Sequence, residues 1–167
     1  MPILRALVAA IAVSLTLSVH ASGSESVSHG EACPVTVPTR TVPPDAGFSP
    51  AAFNYGGRHL RAHLGWRNGV LRAGTLPDGG SMAAIESDGS IHTKVGWWRG
   101  LSGELVITGR RLDASAPPLL ASSSSIGYGP SGFQPSGLVF PTVGCWKVVG
   151  TLPRAKLAFV VKVTILR

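Results

Sequence analysis

The closing segment of the chain, residues 157–165 ("LAFVVKVTI"), alternates strictly between two kinds of position. Successive side chains of an extended strand point to opposite faces, so this period of two predicts a half-buried β-strand. One face is entirely apolar and we expect it in the core: Leu157, Phe159, Val161, Val163 and Ile165. The other face carries Lys162, and Lys156 precedes it in phase. Such a strand requires a second apolar layer to pack against.

The segment before it, "GCWKVVG" (residues 144–150), alternates in the same way. Because Lys147 favours water, its face is expected outside, and Trp146 on the opposite face is expected in the core. Cys145 shares the face of Lys147 and is therefore expected to point outward. "TLPR" (residues 151–154) separates the two alternating runs and predicts a hairpin connection.

Two earlier runs also alternate, "RHLRAHLGW" (residues 58–66) and "IHTKVGWW" (residues 91–98). The Asn-Gly pair at residues 68–69 is a strong hairpin signal, and it predicts that "VLRAGTL" (residues 70–76) pairs with the first run. "PDGG" (residues 77–80) and "SDGS" (residues 87–90) predict turns on either side of a short strand, "SMAAIE". The apolar faces of the runs at residues 58–66 and 91–98 are expected in the core: Leu60, Ala62, Leu64, Ile91, Thr93, Val95 and Trp97.

The rest of the chain adds short strands and loops. "GELVITGRRL" (residues 103–112) predicts a strand, and "APPLLASS" (residues 116–123) a weak strand at an edge, because of its prolines. "YGPSGFQPSG" (residues 128–137) reads as a loop, and the "SSSS" run within residues 122–125 as part of a surface loop. With 21 glycines and 13 prolines for turns, and without a helical period, the pattern predicts an antiparallel sandwich or barrel.

The first 21 residues have the pattern of a secretory signal peptide. Arg5 precedes an apolar run at residues 6–19, which is too short to span a bilayer comfortably, and Ala21 supplies a small residue for cleavage. We therefore predict a signal peptide at 1–21, a polar and proline-rich N-terminal arm at 22–56, and a β-sandwich domain at 57–167. The mature protein is expected to be secreted or periplasmic, without a transmembrane segment.

The chain has two cysteines, Cys33 and Cys145. An even count in an exported chain favours a disulfide, which would close a loop of about 110 residues and contribute about 4 to 5 kcal/mol at most. Lipidation of Cys33 is rejected, because "HGEA" before it lacks an apolar residue at the third preceding position. Since Cys145 is expected to point outward, the disulfide would fasten the N-terminal arm to the outer face of the penultimate strand.

Four segments, "WWRG", "GELVITGRRLDASAPP", "GYGPSGFQPSGLVFPTVGCWKVVG" and "LAFVVKV", carry a resemblance to a known group. They resemble uncharacterised exported bacterial proteins that end in an immunoglobulin-like unit of the form F-P-x-x-G-C-W-x-V-x-G … L-x-F-V-x-x-V. The resemblance covers residues 97–163, and its most specific part is the Gly-Cys-Trp corner with the alternating last strand. It implies an immunoglobulin-like antiparallel β-sandwich and no particular activity.

No catalytic, metal or cofactor site is expected. His59 and His63 in "HLRAH" lack the glutamate of H-E-x-x-H, and on a strand they lie about 13 Å apart, too far for one metal. Zinc or copper binding would need His92 or an acidic group nearby. "GPSGF" around Ser131 lacks the spacing of a nucleophile elbow. Asp78 and Asp88 each precede a glycine, which is typical of turn-forming residues. Glu86 and Asp88 are also close enough in sequence to form a weak carboxylate pair for a hydrolase.

The candidate binding site is a basic and aromatic surface. It combines two stripes that would merge if their strands are neighbours in one sheet: His59, Arg61, His63, His92, Lys94 and Trp98, with Arg99 beside them. An exposed tryptophan beside cations suits stacking on sugar rings or docking to an anionic surface. The alternative is that Trp98 is half-buried beneath the N-terminal arm and that the cations only solubilise the outer sheet.

A net charge of +7 with 14% charged residues is basic but sparse, unlike the clustered charge of nucleic-acid binders. We therefore expect an exported, non-catalytic binding or structural module of the cell envelope or extracellular space. Its expected partner is an anionic cell-envelope polymer or a glycan. Two other functions remain open: a hydrolytic or enzyme-accessory domain with a site between loops, and an assembly subunit that uses an exposed edge strand.

Overall fold

The computed structural model describes residues 32–39, 53–75 and 83–166. The predicted signal peptide and the "PDGG" turn lie outside the described residues. Within the described ranges the chain forms strands, with a short 3₁₀ turn at Arg67–Gly69, and no helix there is long and apolar enough to cross a membrane. The strands are β1 (Asn54–Gly56), β2 (Leu60–His63), β3 (Val70–Ala73), β4 (Ala84–Ile85), β5 (Ile91–Arg99), β6 (Val106–Arg111), β7 (Leu120–Ser123), β8 (Gly132–Phe140), β9 (Gly144–Leu152) and β10 (Ala155–Ile165).

The strands form two sheets, so the prediction of an all-β sandwich is confirmed at that level. Sheet A has the order β1-β2-β5-β8-β7, with β4 also paired to β5, and sheet B has the order β3-β10-β9-β6. The pairs are antiparallel except β3 with β10, which run parallel from Val70 opposite Lys162 to Ala73 opposite Ile165. The expectation of an entirely antiparallel structure is therefore wrong at one edge of sheet B.

The alternating strands bury the faces that their period predicts. Along β5 the residues at 91, 93, 95 and 97 are buried while His92 and Lys94 are exposed. Along β10 the central positions Phe159, Val161 and Val163 are buried, and Leu157 is half-buried. Ile165, expected in the core, is instead 49% exposed. It lies beyond the end of the β9 ladder, which stops where Val163 pairs with Gly144.

Large aromatic side chains join the two sheets in the core. Trp97 of sheet A and Trp146 of sheet B are both fully buried, as predicted. The Trp97 ring lies 6.0 Å from that of Phe159, and its indole N–H donates to Ser136 Oγ at 3.0 Å. A Cβ at Gly150 would overlap the Trp97 ring, so glycine is required there for the sheets to approach. The core thus fixes which face of each sheet remains outside.

The predicted hairpin between β2 and β3 is wrong. Asn68 and Gly69 do adopt the left-handed conformation expected of an Asn-Gly turn, with φ of 55° and 65°. However, β2 lies in sheet A and β3 in sheet B, so the turn carries the chain from one layer to the other. Gly69 is buried, and a Cβ there would come within 2.7 Å of Val35. An Asn-Gly pair favours the same left-handed conformation in a hairpin and in a connection between two sheets. Tertiary packing therefore decides which of the two connections forms.

The predicted loop at residues 128–137 is also wrong in its second half, because β8 begins at Gly132. Pro135 is tolerated inside β8 because the β7 ladder ends where Ser123 pairs with Ser136, which leaves one side of Pro135 without a paired strand. The weak edge strand expected within residues 116–123 is confirmed as β7, at the edge of sheet A. Ser122 and Ser123, which were also counted in the expected "SSSS" loop, belong to this strand.

The disulfide between Cys33 and Cys145 is present, with the Cα atoms 5.4 Å apart. Cys145 pairs across the ladder with the exposed Lys162, so it lies on the face of sheet B away from the core. It is nevertheless only 2% exposed. The N-terminal arm also bonds to the sheets: Thr36 N–H donates to Val160 O at 3.0 Å, and Thr39 N–H to Asn54 O at 2.7 Å. The arm thus bridges sheet B to β1, which itself lies within the segment interpreted as arm.

Candidate functional site

The two predicted stripes meet on the outer face of sheet A. β2 and β5 are neighbours, and Arg61 lies directly opposite Trp98. On its other side Trp98 lies opposite Phe133 of β8. Residues directly opposite each other in a ladder have side chains on the same face, within contact distance. We call the set Arg61, Trp98, Phe133 and Tyr128 the aromatic row.

The aromatic rings of this row are partly exposed. Phe133 is 39% and Tyr128 37% exposed, with ring centroids 6.0 Å apart in an edge-to-face arrangement, and Trp98 is half-buried. The sequence reasoning missed Phe133 and Tyr128, because residues 128–137 were interpreted as a loop. The alternation of Gln134, Ser136 and Leu138 with Phe133 was the signal that could have revealed a strand with Phe133 on its outer face.

Arg61 belongs to the row but is not a free surface cation. It is only 9% exposed, and its Nε–H donates to Gly57 O at 3.1 Å. The expected exposure of Arg61 is therefore wrong: its side chain lies beside Trp98 and bonds back to the segment before β2 instead of extending into solvent. Arg61 therefore forms one wall beside Trp98 and contributes less to an electrostatic surface than its charge suggests.

His63 is on the predicted face but is held by neighbouring groups. Its Nδ1 lies 2.9 Å from Asn54 Oδ1, and the Phe53 ring packs edge-on at 5.5 Å. Since a carbonyl oxygen only accepts, the His63 Nδ1 carries the proton and donates. Burial lowers the pKa of His63 below its usual value, so its ring is neutral at pH 7. His63 is thus a structural contact between β1 and β2.

The remaining basic side chains of the predicted stripes are exposed but dispersed. Lys94 and His92 lie four and six residues from Trp98 along β5, about 13 and 20 Å away. His92 Nδ1 lies 4.0 Å from a carboxylate oxygen of Glu86, and its Nε2 lies 3.2 Å from Ser90 Oγ. At the other end, His59 is exposed and accepts a hydrogen bond from Arg58 Nε at 2.9 Å. These side chains do not converge on one patch.

Arg99 is misplaced by the sequence interpretation. It lies on the inner face of β5, in phase with Trp97, and is 4% exposed. Its guanidinium donates to Gly103 O at 3.1 Å, to Pro130 O at 3.3 Å and to Gly129 O at 2.6 Å. Burial lowers its pKa, although arginine remains charged at any ordinary pH. Arg99 therefore joins two loops at one end of the sandwich and is not part of the outer surface.

Two of the described carboxylates, Asp88 and Asp113, bond within turns and loops. Asp88 accepts from Ser90 N–H at 2.9 Å, and the hydrogen bonds from Ser90 lower its pKa. At Asp113 burial raises the pKa, but bonds from Arg111 and from Cys145 N–H outweigh it, so the net pKa is lowered. Within the described ranges no three His, Cys, Asp or Glu residues gather as a metal site would require. Asp78 lies outside the described residues.

Comparison of the chain with protein-family models, with curated proteins and with solved structures gives no match. Inference about function therefore depends on the geometry of the aromatic row and the surfaces next to it.

Proposed function

We propose that this chain is an exported, non-catalytic binding module with an immunoglobulin-like β-sandwich, and that it holds a glycan on the outer face of sheet A. The observation that carries the proposal is the aromatic row, in which Trp98 lies between Arg61 and Phe133 with Tyr128 next to Phe133. Partly exposed aromatic rings offer flat apolar surfaces on which the C–H faces of sugar rings can stack.

The order of the strands supports the immunoglobulin-like part of the proposal. Immunoglobulin domains of the constant type have strands A, B, E and D in one sheet and C, F and G in the other. In sheet A the order β2-β5-β8-β7 corresponds to A-B-E-D, and in sheet B the order β10-β9-β6 corresponds to G-F-C. The disulfide differs, because it joins the N-terminal arm to β9 instead of joining the two sheets.

Charge favours a glycan over an anionic polymer. A polyanion would need several exposed cations close together. On this face Arg61 is largely covered, His63 is neutral at pH 7, and Lys94 stands about 13 Å from Trp98. The disulfide supports export, because such bonds persist in oxidising compartments.

The test compares retention of the protein on immobilised glycans for the wild type, Trp98→Ala and Leu120→Ala. Leu120 is a matched control, because it is 62% exposed on β7 of the same sheet, outside the aromatic row. We expect Trp98→Ala to weaken binding about tenfold, since a stacked aromatic contributes about 1.4 kcal/mol. Leu120→Ala should bind as the wild type does. Equal retention of all three proteins on every bound glycan would overturn the proposal.

A second candidate function, assembly through an edge strand, is favoured by β7. All four residues of β7 are exposed, and this strand is paired only to β8 among the described strands. An uncovered edge can accept a strand from another chain. Sedimentation of the wild type and of Ala121→Pro separates this function from glycan binding: assembly through β7 predicts oligomers in the wild type alone, whereas monomers at all concentrations for both proteins would exclude it.

A further inference from the structure

A groove of about 520 Å³ opens at the end of the sandwich where Arg99 joins the two loops. Its walls come from the segment after β5 and from the segment between β7 and β8, and every residue of both segments is described. Exposed residues form the rim: Glu104, Ser123, Ser125 and Tyr128. The lining also includes two buried polar residues, Arg99 and Gln134, at 4% and 3% exposure.

Each of these buried residues has one polar atom without a hydrogen-bond partner in the described chain: Arg99 Nε and Gln134 Oε1. The other atoms of both groups are engaged. Gln134 Nε2 donates to Ser124 O at 3.1 Å, and the terminal nitrogens of Arg99 bind the three loop carbonyls. A buried polar atom that lacks a partner costs about 1 to 3 kcal/mol. The residues that line the groove therefore include one side-chain nitrogen and one side-chain oxygen without a partner, and the other bonds of the two groups hold both in place.

The unused pair indicates the chemistry of a ligand. A hydroxyl group both donates and accepts, so a hydroxyl can satisfy Gln134 Oε1 and a second one, or the same one, can satisfy Arg99 Nε. The charge of Arg99 is already shared among three carbonyl oxygens, and the carboxylate of Glu104 stands on the rim. An anionic group is thus disfavoured there. Tyr128 belongs both to the groove and to the aromatic row, which makes the two surfaces continuous.

We propose that this groove is a subsite for the hydroxyl-bearing end of a neutral saccharide, with Gln134 Oε1 as acceptor and Arg99 Nε as donor. The inference rests on the proposed function, because the aromatic row would hold the sugar rings that follow. The subsite also predicts a neutral ligand, whereas the net positive charge of the chain suggests an anionic polymer. The subsite selects for hydroxyl groups in a fixed geometry, and the aromatic row for the faces of the rings.

Nuclear magnetic resonance tests the subsite directly, because the Nε–H of an arginine gives its own signal. The ¹⁵N-labelled protein is titrated separately with cellotriose, chitotriose and inorganic polyphosphate. We expect one of the two saccharides to shift the Arg99 Nε–H and Gln134 amide signals together with the Trp98 indole signal, and polyphosphate to leave the first two unchanged. In Ser125→Tyr, which adds bulk at the exposed rim, the Arg99 shift should be lost. Ser115→Tyr, at an exposed loop position outside the groove, should retain it.

The outcomes separate the two proposals. If a saccharide moves the Trp98 indole signal while Arg99 Nε–H stays fixed, glycan binding stands and the subsite is wrong; a tightly held water on Arg99 that the ligand does not displace gives this same result. If neither saccharide moves any signal of the aromatic row, both proposals fail for these ligand classes. A shift of Arg99 with polyphosphate alone would overturn the assignment of a neutral ligand.

Discussion

The outer faces of the two sheets differ in what happens to residues that point away from the core. On sheet B, Cys145 faces outward and is 2% exposed, because the N-terminal arm is bonded to it. On sheet A, Phe133 also faces outward and stays 39% exposed beside Trp98. One face is thus closed by the protein's own chain, and the other presents aromatic surface to solvent. The difference shows that facing outward in a strand does not by itself make a residue available to a ligand.

Removing the disulfide is expected to have the largest effect, because this bond fastens the arm that covers the outer face of sheet B. The bond closes a loop with a sequence separation of 112 residues, and it limits the unfolded chain as well as holding the arm. We expect Cys33→Ala/Cys145→Ala to lower the free energy of unfolding by about 4 kcal/mol. Urea denaturation followed by tryptophan fluorescence measures this. The aromatic row should keep its glycan affinity under native conditions, because the arm closes the other sheet.

A loss below about 1 kcal/mol would mean that the hydrogen bonds of the arm hold it without the disulfide. Thr36 could account for such a result, because its N–H donates to Val160 O and its Oγ1 accepts from Val160 N–H at 2.8 Å. Thr36→Val removes the Oγ1 acceptor and keeps the backbone bond, so in the wild-type and cysteine-free proteins it shows whether the Oγ1 bond and the disulfide act on the same segment.

The second prediction compares two cations of β5 that point to opposite faces. Arg99 is buried with three carbonyl partners, whereas Lys94 is exposed on the outer face. We expect Arg99→Gln to lower the free energy of unfolding by about 3 kcal/mol, because the loop carbonyls lose charged donors. Lys94→Gln should change it by less than about 0.5 kcal/mol. Urea denaturation of both variants gives the values, and similar losses would contradict the assignment of Arg99 to the inner face.

Arg99 and Lys94 show which features of the fold could be predicted from the sequence. Alternation alone located the buried faces of β5, β9 and β10, because each strand has one face that only a core can accept. The same alternation, continued by one residue, puts Arg99 in phase with Trp97, whereas the sequence analysis set it beside the outer stripe. What makes its burial possible is the meeting of three carbonyls from residues 103, 129 and 130, which are distant in sequence. The crossing at Asn68 and the strand at Pro135 depend on tertiary pairing in the same way.

The candidate site could likewise be predicted only in part from the sequence. Trp98 and Arg61 were placed on one surface by their periods, conditional on β2 and β5 being neighbours, and that pairing is confirmed. Phe133 and Tyr128 were not foreseen, since glycine and proline dominate residues 128–137 and usually mark loops. The groove was also out of reach, because it forms only where two loops meet at the end of the sandwich.

The smallest effect is expected on the pH dependence of the free energy of unfolding, from His63. This residue lies where the N-terminal arm meets the outer face of sheet A. Its partner Asn54 also receives the backbone bond from Thr39 of the arm, so this histidine borders both. Burial lowers the pKa of His63 in the folded protein below its unfolded value of about 6.5. The unfolded chain therefore binds more protons, and stability from neutral His63 is present above pH 6.5 and is lost as pH falls from there through the folded pKa.

Urea denaturation between pH 7.5 and pH 5 checks this sign against a matched variant. In His63→Gln the acid-induced loss should shrink, because glutamine keeps a donor for Asn54 and does not titrate. His59→Gln, at an exposed position of the same stripe, should keep the full slope of the wild type. If His63→Gln leaves the acid-induced loss unchanged, His63 is not its source. The border with the arm would then be less covered than its contacts with Asn54 and Phe53 imply.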